Sequence, residues 1–293
     1  MYDMLIVGAG PAGLTAGLYA ARAGKTVVAL EKLMTGGQVS LTGSMENYPG
    51  FTSGVGGPEL AMSMAEQAIN AGLQIIYDGA LEIDCAGKRV RTASGWHEAK
   101  RLILAVGAQP RRLGVAGEER LIGRGISFCA TCDGALYRGK RVVVIGGGNA
   151  AVEEALYLAG LGDEVLLVHR RDRLRADQVL VNQLLATPNI AVLWNQEVVE
   201  FLGEAKLEGI RLSGGAMEPV EGAFISIGRI PDTALLAGQV QMDEAGFIIA
   251  GEDCCTSVPG VFVAGDARTK PLRQVVTAVA DGAVAASFGI EAL

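Results

Sequence analysis

A glycine fingerprint set inside a strand–helix–strand pattern occurs twice in this chain of 293 residues. The first copy runs from an apolar stretch at 3–7 into Gly8-Ala9-Gly10-Pro11-Ala12-Gly13. A helical pattern covers 14–22, Gly24 stops it, and a second apolar stretch at 26–30 ends on Glu31. In such a turn the first glycine bends the chain and the second admits a pyrophosphate to backbone N–H groups. The third lets helix and strand pack closely. Glu31 stands 18 residues past Gly13, where an acid can bind a ribose hydroxyl. The unit requires a parallel sheet covered by helices and predicts a bound dinucleotide.

Shifting the numbering by 138 recovers the pattern: Gly146, Gly148 and Ala151 fall on Gly8, Gly10 and Gly13. Alanine at the third position is an accepted variant. A strand at 141–145 precedes, a helix over about 150–159 follows, and a strand at 164–168 completes the copy. The residue in register with Glu31 is His169, which opens His169-Arg170-Arg171-Asp172-Arg173-Leu174-Arg175. A carboxylate at this point suits a free ribose diol and repels a 2′-phosphate, whereas arginines do the reverse. Two charge-assisted contacts of ~1.5–3 kcal/mol each would favour the phosphorylated cofactor by roughly two to four powers of ten. The first fold is therefore expected to hold FAD or NAD, and the second NADPH.

Both copies end alike, a strand at 101–107 before Gln109-Pro110 and one at 223–228 before Ile230-Pro231. Proline and glycine near 110–117 and 228–238 mark crossings between domains. A further strand at 260–264 enters Gly265-Asp266-Ala267, and a helix begins near Gln274. The positive N-terminal end of that helix suits an anionic ring. The expected fold class is α/β, with two Rossmann-like nucleotide-binding domains. One domain, 112–241, is inserted into the other, 1–111 plus 242–293.

Length and composition agree with two such domains. Half the residues are hydrophobic, 41 are glycine and only 5% are aromatic, as buried parallel strands packed closely by helices require. A net charge of −7 argues against nucleic acid as a partner. No apolar run approaches the ~18–20 residues that cross a bilayer. The first strand begins by Asp3, so no signal peptide is expected. Five cysteines make an odd set for a secreted disulfide framework, which points to the reducing cytoplasm.

Cys129-Ala130-Thr131-Cys132-Asp133 lies just ahead of the second fingerprint. Two cysteines at this spacing can close a small disulfide, and a helix N-terminus there would stabilise a thiolate. A C-x-x-C is also half a zinc site, but four ligands are normally needed. The chain has no second C-x-x-C and only two histidines. A dithiol beside two nucleotide folds implies electrons passed from one cofactor, through another, onto a disulfide. Cys85 sits in an apolar stretch, and a disulfide between the adjacent Cys254 and Cys255 would be strained. These three are expected to be structural.

With these pieces placed, the chain resembles the low-molecular-weight thioredoxin reductases over nearly its whole length. Gly36-Gly37-Gln38, Glu46-Asn47-Tyr48-Pro49-Gly50, Gly265-Asp266-Ala267 and Arg273-Gln274-Val275 are similar to that family's flavin half. Cys129-Ala130-Thr131-Cys132-Asp133-Gly134 resembles its redox motif, and Gly146-Gly147-Gly148-Asn149 with the basic run resembles its NADPH signature. Glutathione-reductase-like enzymes instead carry the cysteines in the FAD domain, four residues apart, and have a further interface domain.

The resemblance implies FAD in the discontinuous domain, held by Gly8, Gly10, Pro11, Ala12, Gly13, Glu31, Gly36, Gly37, Gln38, Asn47, Asp266, Arg273, Gln274 and Val275. It implies NADPH in the inserted domain, held by Gly146, Gly148, Asn149, Ala150, His169, Arg170, Arg171 and Arg175. Cys132 would face the flavin, Cys129 would attack the substrate disulfide, and Asp133 would manage the proton on the departing thiol. Dithiol and nicotinamide would reach one flavin in turn as the inserted domain swings about its crossings. The implied partners are thioredoxin or a similar small disulfide protein and a second copy of the chain.

Val106, Ala150, Arg229 and Asp232 depart from the family's usual residues. None of them touches the dithiol or the phosphate arginines. Three alternatives remain open. The same fold could take electrons from reduced ferredoxin, or give them to another small disulfide protein. A ferredoxin–NADP reductase would share the fold without needing the dithiol. A nucleotide-sensing module would bind but not turn over.

Overall fold

The computed structural model describes residues 1–42, 44–291 and 293. The chain separates into two compact units, Met1–Gln109 with Ile230–Leu293, and Pro110–Arg229.

In the first unit the fingerprint strand Tyr2–Val7 lies between Val27–Leu30 and Gly95–Leu104, parallel to both. Gln74–Ile76 extends the sheet beyond Val27–Leu30, and Val261–Val263 joins the far side of Gly95–Leu104, again in parallel. The register Val7↔Leu104↔Val263 brings three strand ends to one edge. Gly95–Leu104 has a double role. Its second half belongs to the parallel sheet, and its first half pairs antiparallel with Arg89–Thr92.

The fully buried Met4 and Ile6 face the fingerprint helix Pro11–Arg22 and the C-terminal helix Val275–Glu291. Leu5 and Val7 face the opposite core, with Ile83, Val90 and Leu236. Burial on both faces explains why the strand reads as one apolar run instead of alternating.

The second unit repeats the plan. Its sheet runs Ile190–Trp194, Glu164–His169, Arg141–Gly146, Gly222–Ser226, Ile126–Ser127, and every pairing is parallel. A three-stranded antiparallel layer of Val198–Leu202, Gly209–Leu212 and Met217–Glu218 backs it. One difference matters for function. The outermost strand of the first unit, Val261–Val263, comes late in the chain and enters Gly265–Ala267. Its counterpart Ile126–Ser127 precedes the fingerprint strand and enters the cysteine motif. The dithiol thus occupies in one unit the place that Gly265-Asp266-Ala267 occupies in the other.

Element positions follow the sequence expectations closely, with one extension. The strand expected at 101–107 begins six residues earlier, at Gly95. The crossings differ more. The first lies at 109/110, two residues from the expected 111/112, but the second lies at 229/230, not 241/242. Residues 230–241 pack with the first unit because Leu236 and Val240 are buried among Leu5, Val7 and Ile83. Gln239 also accepts the Cys85 amide at 2.9 Å and donates to the Ile83 carbonyl at 2.6 Å. Among the described residues no helix is long and apolar enough to cross a membrane.

Candidate active site

The fingerprint of the first unit is built by close approach. Gly8 has φ +102°, and a side chain there would run into the Ala105 carbonyl. A side chain on Gly13 would strike the Gly8 carbonyl, which fixes helix against strand. At Gly10 an added Cβ meets nothing within 4 Å, so open space lies over the helix N-terminus where a pyrophosphate would sit. Glu31 accepts the Ala9 and Leu33 amides at 2.9 and 3.0 Å, bracing the turn from the end of the second strand.

The other flavin-type motifs converge on this turn. The Gly36 amide donates to the Ala9 carbonyl at 2.8 Å, Gly37 lies against Gly10, and the Gln38 amide donates to the Ala108 carbonyl. Asn47 donates to the Gln274 side chain at 3.2 Å, just before the helix Val275–Glu291. Arg273 donates to the Asp266 and Arg268 carbonyls at 3.2 and 3.1 Å and stacks over Phe247 at 4.0 Å. Its charge therefore stays at the base of the 265–268 loop.

A buried ion cluster holds the same loop. Asp281, on the C-terminal helix, accepts the Gly265 amide at 2.9 Å, Arg268 through both oxygens at 2.9 and 2.8 Å, and Lys270 at 2.6 Å. Burial alone would raise the Asp281 carboxyl, but Arg268 and Lys270 hold it below its usual range. Sequence reasoning missed this cluster. Its one signal is an aspartate, the only charged residue in the run 275–286.

In the second unit Gly148, like Gly10, has open space where a side chain would stand. The Arg175 amide donates to the Gly147 carbonyl at 2.7 Å, folding the basic loop back over the fingerprint. Asn149 and Asp177 are reciprocally paired, side chain to side chain at 2.8 Å and amide to side chain at 2.9 Å. His169 is buried, with Nδ1 2.9 Å from the Gly146 carbonyl and Nε2 2.9 Å from the Arg173 carbonyl. It braces the turn as Glu31 does in the first unit. Arg170, Arg171 and Arg175 are exposed beside it, and a shallow concavity of about 600 Å³ borders Arg175 and Trp194. Open space over each glycine turn, with three guanidinium groups flanking only the second, fits a dinucleotide in each unit and a 2′-phosphate in the second.

Cys129 and Cys132 are joined in a disulfide with a Cα separation of 5.3 Å, spanning the start of the short helix Ala130–Asp133. Asp133 is half-buried, and its Oδ2 accepts the Ser127 hydroxyl at 2.6 Å. Burial raises the Asp133 carboxyl above the ordinary carboxylate range, and the Ser127 hydrogen bond opposes this. Ser127 also accepts the Cys129 amide at 3.1 Å, so one hydroxyl links carboxyl and dithiol. Sequence reasoning named Asp133 but not Ser127. The other thiols are of a different kind. Burial pushes Cys254 up to about 12 and Cys85 up to about 11, leaving both protonated and inert.

Two dinucleotide folds with a closed disulfide at the strand edge of the second define a class, the nucleotide-linked disulfide oxidoreductases. The pyridine nucleotide-disulphide oxidoreductase family model matches residues 2–282. A thioredoxin reductase of Treponema pallidum (strain Nichols) is 44% identical, over 97% of this chain and 95% of that protein. One of Listeria innocua is 42% identical, over 97% and 92%. The crystal structure of thioredoxin reductase from Streptococcus pyogenes superposes with a TM-score of 0.93 at 41% identity, covering 100% of this chain and 98% of that one. The chain belongs to the pyridine nucleotide-disulphide oxidoreductases, in the group of low-molecular-weight thioredoxin reductases. Members of this group use FAD and NADPH.

Proposed function

We propose that this chain is a thioredoxin-disulfide reductase, passing electrons from NADPH through FAD and the Cys129–Cys132 dithiol to the disulfide of thioredoxin. The observation that carries the reading is the closed disulfide at the end of strand Ile126–Ser127, in the same unit as the second fingerprint and its basic loop.

The first unit, Met1–Gln109 with Ile230–Leu293, would hold FAD, and the second, Pro110–Arg229, would hold NADPH. Bound FAD supplies the carrier that accepts a hydride and releases an electron pair to sulfur. The protein's own residues do the rest. Gly8, Gly10 and Gly13 admit the flavin pyrophosphate, with Pro11 and Ala12 opening the helix behind it, and Glu31 takes the ribose. Gly36, Gly37, Gln38, Asn47, Asp266, Arg273, Gln274 and Val275 line the same site. Gly146, Gly148, Asn149 and Ala150 form the turn for the second pyrophosphate. His169 shapes that turn, and Arg170, Arg171 and Arg175 bind the 2′-phosphate.

When the disulfide opens, Cys129 is the outer thiolate that attacks the substrate disulfide and Cys132 the inner sulfur. Asp133, its carboxyl raised by burial, supplies the proton for the departing thiolate, and Ser127 orients it. We further propose a cytoplasmic homodimer.

The test is steady-state turnover of the FAD-loaded enzyme with thioredoxin, with NADPH, NADH and reduced ferredoxin compared as donors. Efficient NADPH-driven thioredoxin reduction is expected. Turnover only with ferredoxin, or none with any thioredoxin, would overturn the reading. Sedimentation of the holoenzyme as a monomer would overturn the dimer.

A further inference from the structure

Glu154 is a buried carboxyl that the reaction as described does not use. It lies on the helix Asn149–Ala159, between the buried Ala151 and Leu158 on the inward face. Its Oε1 accepts the Ala130 amide at 3.4 Å, the peptide nitrogen that follows Cys129. Its Oε2 is shielded from solvent and has no hydrogen-bond partner among the described residues. A buried ionised oxygen without a donor is costly, whereas a protonated one carries no charge to solvate. Burial raises this carboxyl to about 7; the Ala130 amide and the Arg229 charge oppose the rise, and Glu153 adds to it. The other carboxyl near the dithiol, Asp133, is turned to Ser127.

The Ala130 nitrogen is four covalent bonds from Cys129 Sγ, so the Glu154 carboxyl lies within ~8 Å of that sulfur. At an effective dielectric of ~20, two charges at that distance shift one another by ~1–2 pH units. A thiolate at Cys129 and a carboxylate at Glu154 are therefore in direct competition.

We propose that Glu154 is a positioning residue that carries the redox-linked proton of the Cys129–Cys132 pair. Two electrons, delivered by the established donor, break the S–S bond. One proton from solvent goes to one sulfur, and the other sulfur remains a thiolate. The new negative charge draws a second proton from solvent onto Glu154, which holds the Ala130 amide and leaves Cys129 free to attack. When the disulfide reforms the thiolate charge is gone, and Glu154 returns its proton to solvent. The couple then takes up more than one proton per two electrons around neutrality while still presenting a thiolate.

This inference rests on the proposed disulfide chemistry and is tested without thioredoxin. The FAD-loaded enzyme is reduced, and alkylation of Cys129 by iodoacetamide is followed against pH. Wild type should show two inflections, one from Glu154 and one from the thiol. Glu154→Gln, which keeps an acceptor for Ala130, should show one inflection, with the thiol lowered by ~1–2 pH units. It should also take up fewer protons on reduction, by up to one. Glu153→Gln, an exposed change on the same helix, should keep both inflections, with the Glu154 one moved slightly down because Glu153 no longer raises it. A Glu154→Gln profile superimposable on wild type would overturn the proposal.

If that variant does not fold, wild type labelled with ¹³C-carboxyl glutamate gives a second reading. Its reduced-minus-oxidised infrared spectrum should gain a protonated glutamate band, and absence of that band also overturns the proposal. Failure of wild type to reduce thioredoxin would remove the proposed function instead, with the alkylation profile still measurable.

Discussion

Ser127 donates to Asp133 across 2.6 Å and accepts the Cys129 amide at 3.1 Å, so the acid and the dithiol share one hydroxyl. The bond stabilises the ionised carboxylate and opposes the rise caused by burial. Ser127→Ala removes it, and a hydrogen bond to a charged group is worth about 1.5–3 kcal/mol. The Asp133 carboxyl is then expected to rise further. The alkaline limb of the kcat profile for disulfide reduction should move up accordingly. An unmoved limb would detach Ser127 from the acid.

Cys129→Ser and Cys132→Ser separate the two halves of the reaction. Cys129 and Cys132 belong to the second unit and the first glycine turn to the first, so NADPH should still bleach the flavin band in both variants. Disulfide reduction should be lost in both. Thioredoxin turnover retained by either would remove the dithiol from the path, and this is measured directly by anaerobic flavin titration followed by addition of thioredoxin.

Much of this was legible because dinucleotide folds are coded locally. Glycine turn, helix and strand end lie within about 25 residues, and each glycine has a separate steric task. The second crossing was not legible in the same way. Gly228 and Pro231 mark a break, but residues 230–241 go to the first unit through Gln239, whose partners Ile83 and Cys85 are more than 150 residues away. The strand Gly95–Leu104 was read short because its antiparallel first half alternates half-buried and exposed positions, which an apolar-run criterion misses. Glu154 was readable in principle, being three residues from Ala151 and four from Leu158 on one helical face. Its proximity to Ala130 depends on the fold.

Asp281 ties the 265–268 loop to the C-terminal helix, and its removal should cost more than one hydrogen bond. Asp281→Asn leaves the Arg268 and Lys270 charges without their counterion, and breaking a buried pair costs about 3–5 kcal/mol. Urea unfolding of the holoenzyme should register that loss together with weaker FAD retention. The pH dependence has a definite sign. The folded-state carboxyl is lowered, so its stabilisation is fully present above the ordinary carboxylate value and lost as pH falls through the depressed one. The variant should therefore lose less stability than wild type over that acid range.

Arg170 and Arg175 flank the second glycine turn, and the Arg175 backbone is anchored to Gly147 independently of its side chain. Truncating both to alanine should leave the loop in place and remove only the guanidinium groups. Each charge-assisted contact to a 2′-phosphate is worth about 1.5–3 kcal/mol, so the preference for NADPH over NADH should fall by roughly two to four powers of ten. The loss should come from weaker NADPH binding, since NADH offers these arginines no phosphate at the 2′ position. Flavin reduction rates with the two nucleotides, compared as kcat/KM, give the ratio. Arg171→Ala alone then reports whether the third guanidinium takes part, while Arg173, whose carbonyl is fixed by His169, should tolerate replacement of its side chain. An unchanged ratio in the double variant would move the phosphate site away from this loop.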